Sequence, residues 1–146
     1  MTYVLSKPEE FVGQSYENDS GNTECVEFAK AVIPNLPAPA RDRWKAGLPV
    51  VGNQTTLLTG TLIATFDENG KYPSKSSGNH AAFFLRKDHD MLVVVDQYKG
   101  SGGVKISRYR YLSDQARADL KKAGKYSMTR DPATYSVVEP FAPPGG

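Results

Sequence analysis

The sequence predicts an α+β fold in which an N-terminal helix packs on an antiparallel sheet. Three observations carry this. One amphipathic helical stretch lies near Thr23 to Ile33. A β-rich half follows from Gly60, built of short runs cut by turn residues. Helix and strands are segregated along the chain rather than alternating, which argues against a parallel sheet.

Residues 1–21 read as an irregular lead-in, because Gly13, Asn18, Asp19, Ser20 and Gly21 give it turn character. In the helix, Cys25, Phe28, Ala29 and Val32 fall on one face, and Glu24, Glu27 and Lys30 lie mostly off it. Asn22 or Thr23 can cap the start, and Pro34 ends the helix. Pro34 to Val50 is a proline-rich loop with a short helical turn expected around Arg41 to Ala46.

Gly60 to Phe66 is a strand and Asp67 to Asn79 a polar loop. His80 to Leu85 and Met91 to Gln97 form a hairpin across R-K-D-H-D, and Val104 to Tyr111 closes the meander. Ser113 caps a helix over Asp114 to Ala123 that stops at Gly124. Tyr135 to Pro140 adds an edge strand. Residues 1–146 are expected to form one domain, with 142–146 a flexible tail.

At 146 residues the chain can bury about two-thirds of its unfolded surface, so it needs no metal or disulfide staple. A net charge of +2 with scattered Lys and Arg gives no nucleic-acid footprint. No window approaches the ~18 apolar residues of a membrane span, so no stable membrane insertion is expected. The N-terminus lacks the pattern of a secretory signal, which implies synthesis in the cytoplasm. A lone cysteine with two distant histidines has no metal-ligand spacing, and no cofactor is expected.

That cysteine is the centre of the chemistry. It cannot form an internal disulfide, so reactivity or packing are its two readings. Near a helix N-terminus, free N–H groups and the macrodipole favour a thiolate and can form part of an oxyanion hole. His80 heads a strand after a glycine-containing loop, where an imidazole can reach the helix. His89, in the polar turn, reads as solvent-exposed. Pairing Arg86 with Asp90 across a three-residue turn, Lys87 to His89, sets Asp96 opposite His80. A slip of one residue brings Gln97 there instead, so both stay open as the third member.

Softer candidates surround this group. Tyr16 could bond an oxyanion or line a groove, or simply pack. Trp44 could wall a substrate cleft or belong to the core. Asn79 and Gln97 flank the site and could bind a peptide backbone. Lys99, Lys105, Arg108 and Arg110 are explained by a solvated face.

E-C-V-E-F-A-K, G-T-L-I-A-T-F, G-N-H-A-A-F-F-L and V-V-D-Q-Y occur in that order between Asn22 and Tyr111. Together they resemble the bacterial BPSL0067 family, small relatives of the CHAP and NlpC/P60 cysteine amidases. The resemblance implies a papain-like fold with Cys25 as nucleophile, His80 as base and Asp96 as third residue. It implies hydrolysis of an amide in peptidoglycan, in the stem peptide or at its sugar junction. It further implies an antibacterial type VI secretion effector that acts in a rival's periplasm and is held off by an immunity protein. The chain departs from those relatives in having E-C-V where NlpC/P60 enzymes have D-C-S-G, an aspartate where they often have a second histidine, and N-H where CHAP domains have G-H. Two alternatives share the scaffold: a non-catalytic binding domain, and a transamidase or deamidase acting on protein.

Overall fold

The computed structural model describes residues 2–39, 43–73 and 78–140. The expected tail, 142–146, lies outside them, as do 41 and 42 of the expected helical turn. The elements are α1 (Cys25–Val32), β1 (Trp44–Pro49), β2 (Leu62–Thr65), β3 (Ala81–Asp88), β4 (Met91–Asp96), β5 (Lys105–Arg110), α2 (Asp114–Lys122) and β6 (Tyr135–Pro140). The strands form one antiparallel sheet in the order β1-β6-β2-β3-β4-β5.

Alternating side chains give the sheet two apolar faces. Phe83, Val93 and Val95 pack with Phe28 and Ala29 of α1. The Phe28 and Phe83 rings meet edge-on at 5.1 Å, which fixes the helix on the centre of the sheet. Phe84, Leu92 and Val94 point the other way and pack with Ile63, Tyr135 and Val137. A sheet covered on both sides explains why β2 is buried at every position instead of alternating.

Several local expectations change. The helical turn expected to end at Ala46 is instead strand from Trp44 onward, because Trp44 and Ala46 pair with Pro140 and Val138 of β6. With β1 in place, β6 is an interior strand, not the expected edge strand. The lead-in is tied down: Val4 bridges Thr61, Leu5 N–H donates to Gly60 O at 2.9 Å, and Pro8–Phe11 forms a 3-10 turn. Gly60 has φ +95°, and a Cβ there would fall 1.9 Å from the Leu5 carbonyl oxygen, so only glycine fits. Helix α1 starts at Cys25 itself, with Glu24 as N-cap and no side-chain cap. Neither Asn22 nor Thr23 caps it; the Thr23 hydroxyl instead donates to Tyr98 O at 3.0 Å. The α2 cap is as expected, with Ser113 Oγ accepting from Ala116 N–H at 3.0 Å.

The β3–β4 hairpin also differs. Its turn is His89-Asp90, closed by Asp88 opposite Met91, with His89 at φ 54°. The register then shifts between Phe84 and Arg86, so Leu85 is a bulge and Phe83 faces Val95. Carried one pair further, this register sets Ala82, and not the expected His80, opposite Asp96. His80 lies two residues beyond Ala82 and therefore on the Asp96 face, at the diagonal position that long side chains can span. Without the bulge, His80 and Asp96 would project from opposite faces.

Candidate active site

The site forms where the N-terminus of α1 meets the ends of β3 and β4. Cys25 is the first residue of α1 and is half-buried. Its thiol neighbours the His80 ring and the Tyr72 hydroxyl closely enough to shift both of their pKa values. His80 Nε2 is 2.7 Å from Asp96 Oδ2, which leaves Nδ1 as the nitrogen available to the thiol.

Asp96 is fully buried, and three partners satisfy it. Besides His80, Ser107 Oγ donates to Oδ1 at 2.5 Å, and Tyr109 OH donates to Oδ2 at 2.7 Å. Ser107 stands opposite Val94 in the register, so it rises beside Asp96 on the same face. Burial alone would lower the His80 pKa. The hydrogen bond to Asp96 and the neighbouring Cys25 sulfur outweigh it and raise the pKa to about 10. Burial, then proximity to Asp96, pushes the Tyr109 pKa up, so the phenol keeps its proton and remains a donor. Tyr72, buried beside Cys25, is raised for the same kind of reason.

Thr65 fixes the His80 backbone. Its Oγ1 accepts from His80 N–H at 3.0 Å and donates to Gly78 O at 2.8 Å, while its own N–H donates to His80 O at 2.9 Å. The imidazole is further enclosed by the rings of Tyr98, Tyr109 and Tyr135, at centroid distances of 6.3–6.4 Å.

The four softer candidates separate. Gln97 is fully buried and its amide is consumed internally: Nε2 donates to Tyr16 O at 2.7 Å and Glu24 O at 2.8 Å, and Oε1 accepts from Tyr16 N–H at 3.2 Å. It does not partner His80, and instead clamps the N-cap of α1 to the sheet. Trp44 is core, not cleft wall: it is completely buried, with Nε1 donating to Pro37 O at 2.9 Å and its ring against Tyr72 at 5.0 Å. Tyr16 packs rather than lining a groove, stacking on Phe28 at 5.5 Å with its hydroxyl on Gln14 Oε1. Asn79 does line a groove of about 980 Å³ that opens beside His80. Cys25 is not part of that lining.

Sequence reasoning missed Thr65, Tyr72, Ser107 and Tyr109. Tyr109 and Ser107 share the Val104–Tyr111 alternation and could be found by continuing the register from Asp96. Tyr72 sits in a loop of no regular period and leaves no such trace.

Comparison with known proteins places the chain among amidase effectors. The sequence model of the family "Domesticated amidase effector 2" matches residues 2–122. A Salmonella typhi protein described as "Type VI secretion amidase effector 2 protein" is 34% identical over 140 residues, spanning 95% of this chain and 100% of that one. The solved structure of "Type 6 secretion amidase effector 2 (Tae2)" superposes with a TM-score of 0.75 at 32% identity, covering 96% of each chain. The expected papain-like α+β fold and the expected likeness to type VI amidase effectors are both met. The matched family is not the BPSL0067 family by name, and it carries no CHAP or NlpC/P60 label. With the match running through both halves of the site and most of the chain, this protein belongs to the domesticated amidase effector 2 family of amidases.

Proposed function

We propose that residues 1–146 act as one cysteine amidase domain that hydrolyses an amide of the peptidoglycan stem peptide, with Cys25, His80 and Asp96 as its catalytic group. The observation that carries the reading is the position of His80, held by Asp96 at 2.7 Å on one nitrogen and adjoining the Cys25 thiol. A raised imidazole pKa favours the imidazolium at neutral pH, beside a thiol at the head of a helix. The Cys25 thiolate attacks the amide carbonyl. The Cys25 and Val26 N–H groups at the head of α1 face the developing oxyanion, while that of Glu27 is held by the Glu24 carbonyl. His80 donates its proton to the leaving amine as the C–N bond breaks, leaving a thioester on Cys25. A water then gives its proton to His80, attacks the thioester and releases the acid. Throughout, Asp96 orients the ring and offsets its positive charge.

The motifs shared with BPSL0067 proteins support a wider kinship with CHAP and NlpC/P60 enzymes. The relatives' descriptions support delivery by a type VI system; we further propose action in the periplasm of target bacteria and protection of the producer by an immunity protein.

Purified sacculi incubated with the protein and analysed by mass spectrometry test the reading. New free amino and carboxyl termini at one stem-peptide bond are expected, and Cys25→Ala should release none. Equal product from the wild type and Cys25→Ala would remove the nucleophile assignment. An absence of cleavage by the wild type would remove the substrate.

A further inference from the structure

The chain has 18 basic and 16 acidic residues, yet the groove beside His80 is lined by six of the basic ones and by no carboxylate. One wall is β5, an edge strand of the sheet, whose approach at Val104 is paired with Gly13 and Gln14; the other is the segment after α2, including Lys125, Ser127 and Arg130. Strand alternation turns Arg108 and Arg110 toward the opposite face, and Arg110 is paired with Asp90. Lys105 lies on the groove side, with Nζ on Tyr98 OH at 3.0 Å. Lys99, Lys125 and Arg130 are exposed and have no carboxylate partner among the described residues. A solvated face explains single lysines. It does not explain cations converging from β5, from the loop after β4 and from the loop after α2 on one concave surface with Asn79 and His80 at its end.

We propose that this groove is a binding subsite for an extended anionic peptide, which lies along the edge of β5 with its carboxylates on Lys99, Lys105, Lys125 and Arg130. The proposal rests on the amidase reading and gives it a substrate class: a stem whose free carboxylates lie beside the scissile amide. The unpaired edge of β5 supplies main-chain hydrogen bonds to an extended ligand, and the cations set its polarity. Such charges act on encounter and ground-state binding more than on the bond-breaking step, so they should appear in KM and in salt dependence.

The test uses the full chain with Lys125→Glu combined with Arg130→Glu, and the milder Lys125→Gln with Arg130→Gln. Soluble peptidoglycan fragments are the substrate, with and without amidation of their carboxylates. The charge reversals should raise KM about tenfold, with kcat changed far less, and should flatten the salt dependence. Amidated fragments should bind the wild type weakly and barely distinguish the variants. Direct titration of the same fragments into Cys25→Ala protein keeps the result separate from hydrolysis. If the wild type fails to cleave but the fragments bind and respond to the reversals, the amidase reading falls and the subsite stands. Unchanged KM and unchanged binding in both variants would overturn the subsite and leave the groove to an acidic protein partner.

Discussion

Asp96 and Gln97 are neighbours in the chain that hold the two halves of the site from opposite faces of the sheet. Asp96 accepts from His80 at 2.7 Å, and Gln97 donates to the Glu24 carbonyl, one residue ahead of Cys25, at 2.8 Å. Both are fully buried at the end of β4. Strand alternation alone sends their side chains to different elements, so one strand end sets the spacing of thiol and imidazole.

Asp96→Asn keeps the shape but removes the charge that favours imidazolium. The His80 pKa should fall well below its present value of about 10, toward or below that of a free histidine, as read by NMR of the ring. Turnover of sacculi should drop by about a hundredfold or more. A ring titration unaltered by the substitution would show that Asp96 does not tune His80.

The same raised pKa makes stability depend on pH. The folded state holds its His80 proton more tightly than the unfolded chain, whose histidine titrates near its model value of 6.5. The contribution is therefore complete below pH ~6.5 and is lost as pH rises through about 10. Urea unfolding between pH 6 and 10.5 should show a decline, on the order of a few kcal/mol, that is flattened in Asp96→Asn.

Gln97→Leu would leave the Tyr16 N–H, Tyr16 carbonyl and Glu24 carbonyl without their side-chain partner. A loss of about 3 kcal/mol or more is expected in chemical denaturation, along with reduced kcat as the helix start loosens. A substrate-binding glutamine would instead raise KM in a protein of normal stability, which is the outcome that would reverse the present assignment.

Gly60→Ala should destabilise the fold by more than about 2 kcal/mol, because its Cβ would strike the Leu5 carbonyl at a backbone φ that disfavours alanine. Lowered thermal stability with unaltered Cys25 alkylation in the folded protein is the expected pair of measurements.

Much of this architecture was legible in the sequence, for identifiable reasons. The periodicity of Cys25, Phe28, Ala29 and Val32 located α1, and the apolar runs located β2 to β5. Ser113 and Gly124 marked α2 through cap chemistry. What escaped were features decided by distant partners. Strand β1 is proline-bounded and exists because β6 lies beside it, which no local pattern encodes. The expected hairpin is wrong in its turn and its register, yet it leaves His80 and Asp96 on one face, because the true register differs by an even step. Gln97 and Trp44 looked available because polar or aromatic side chains beside a site invite that reading, and burial decided otherwise. Tyr72 reaches the thiol from a loop, with no period to announce it.

The bulge at Leu85 has a consequence for how such hairpins can vary. It resets the phase of β3 between the exposed turn at His89 and the buried end at His80. Changes in the length of the tip can be absorbed there before they reach the reacting groups, whereas a single-residue deletion between Ala81 and Phe84 would swing the imidazole to the wrong side of the sheet. The tip is thus a tolerant place to insert a reporter peptide, and the four residues before the bulge are the intolerant stretch of the strand.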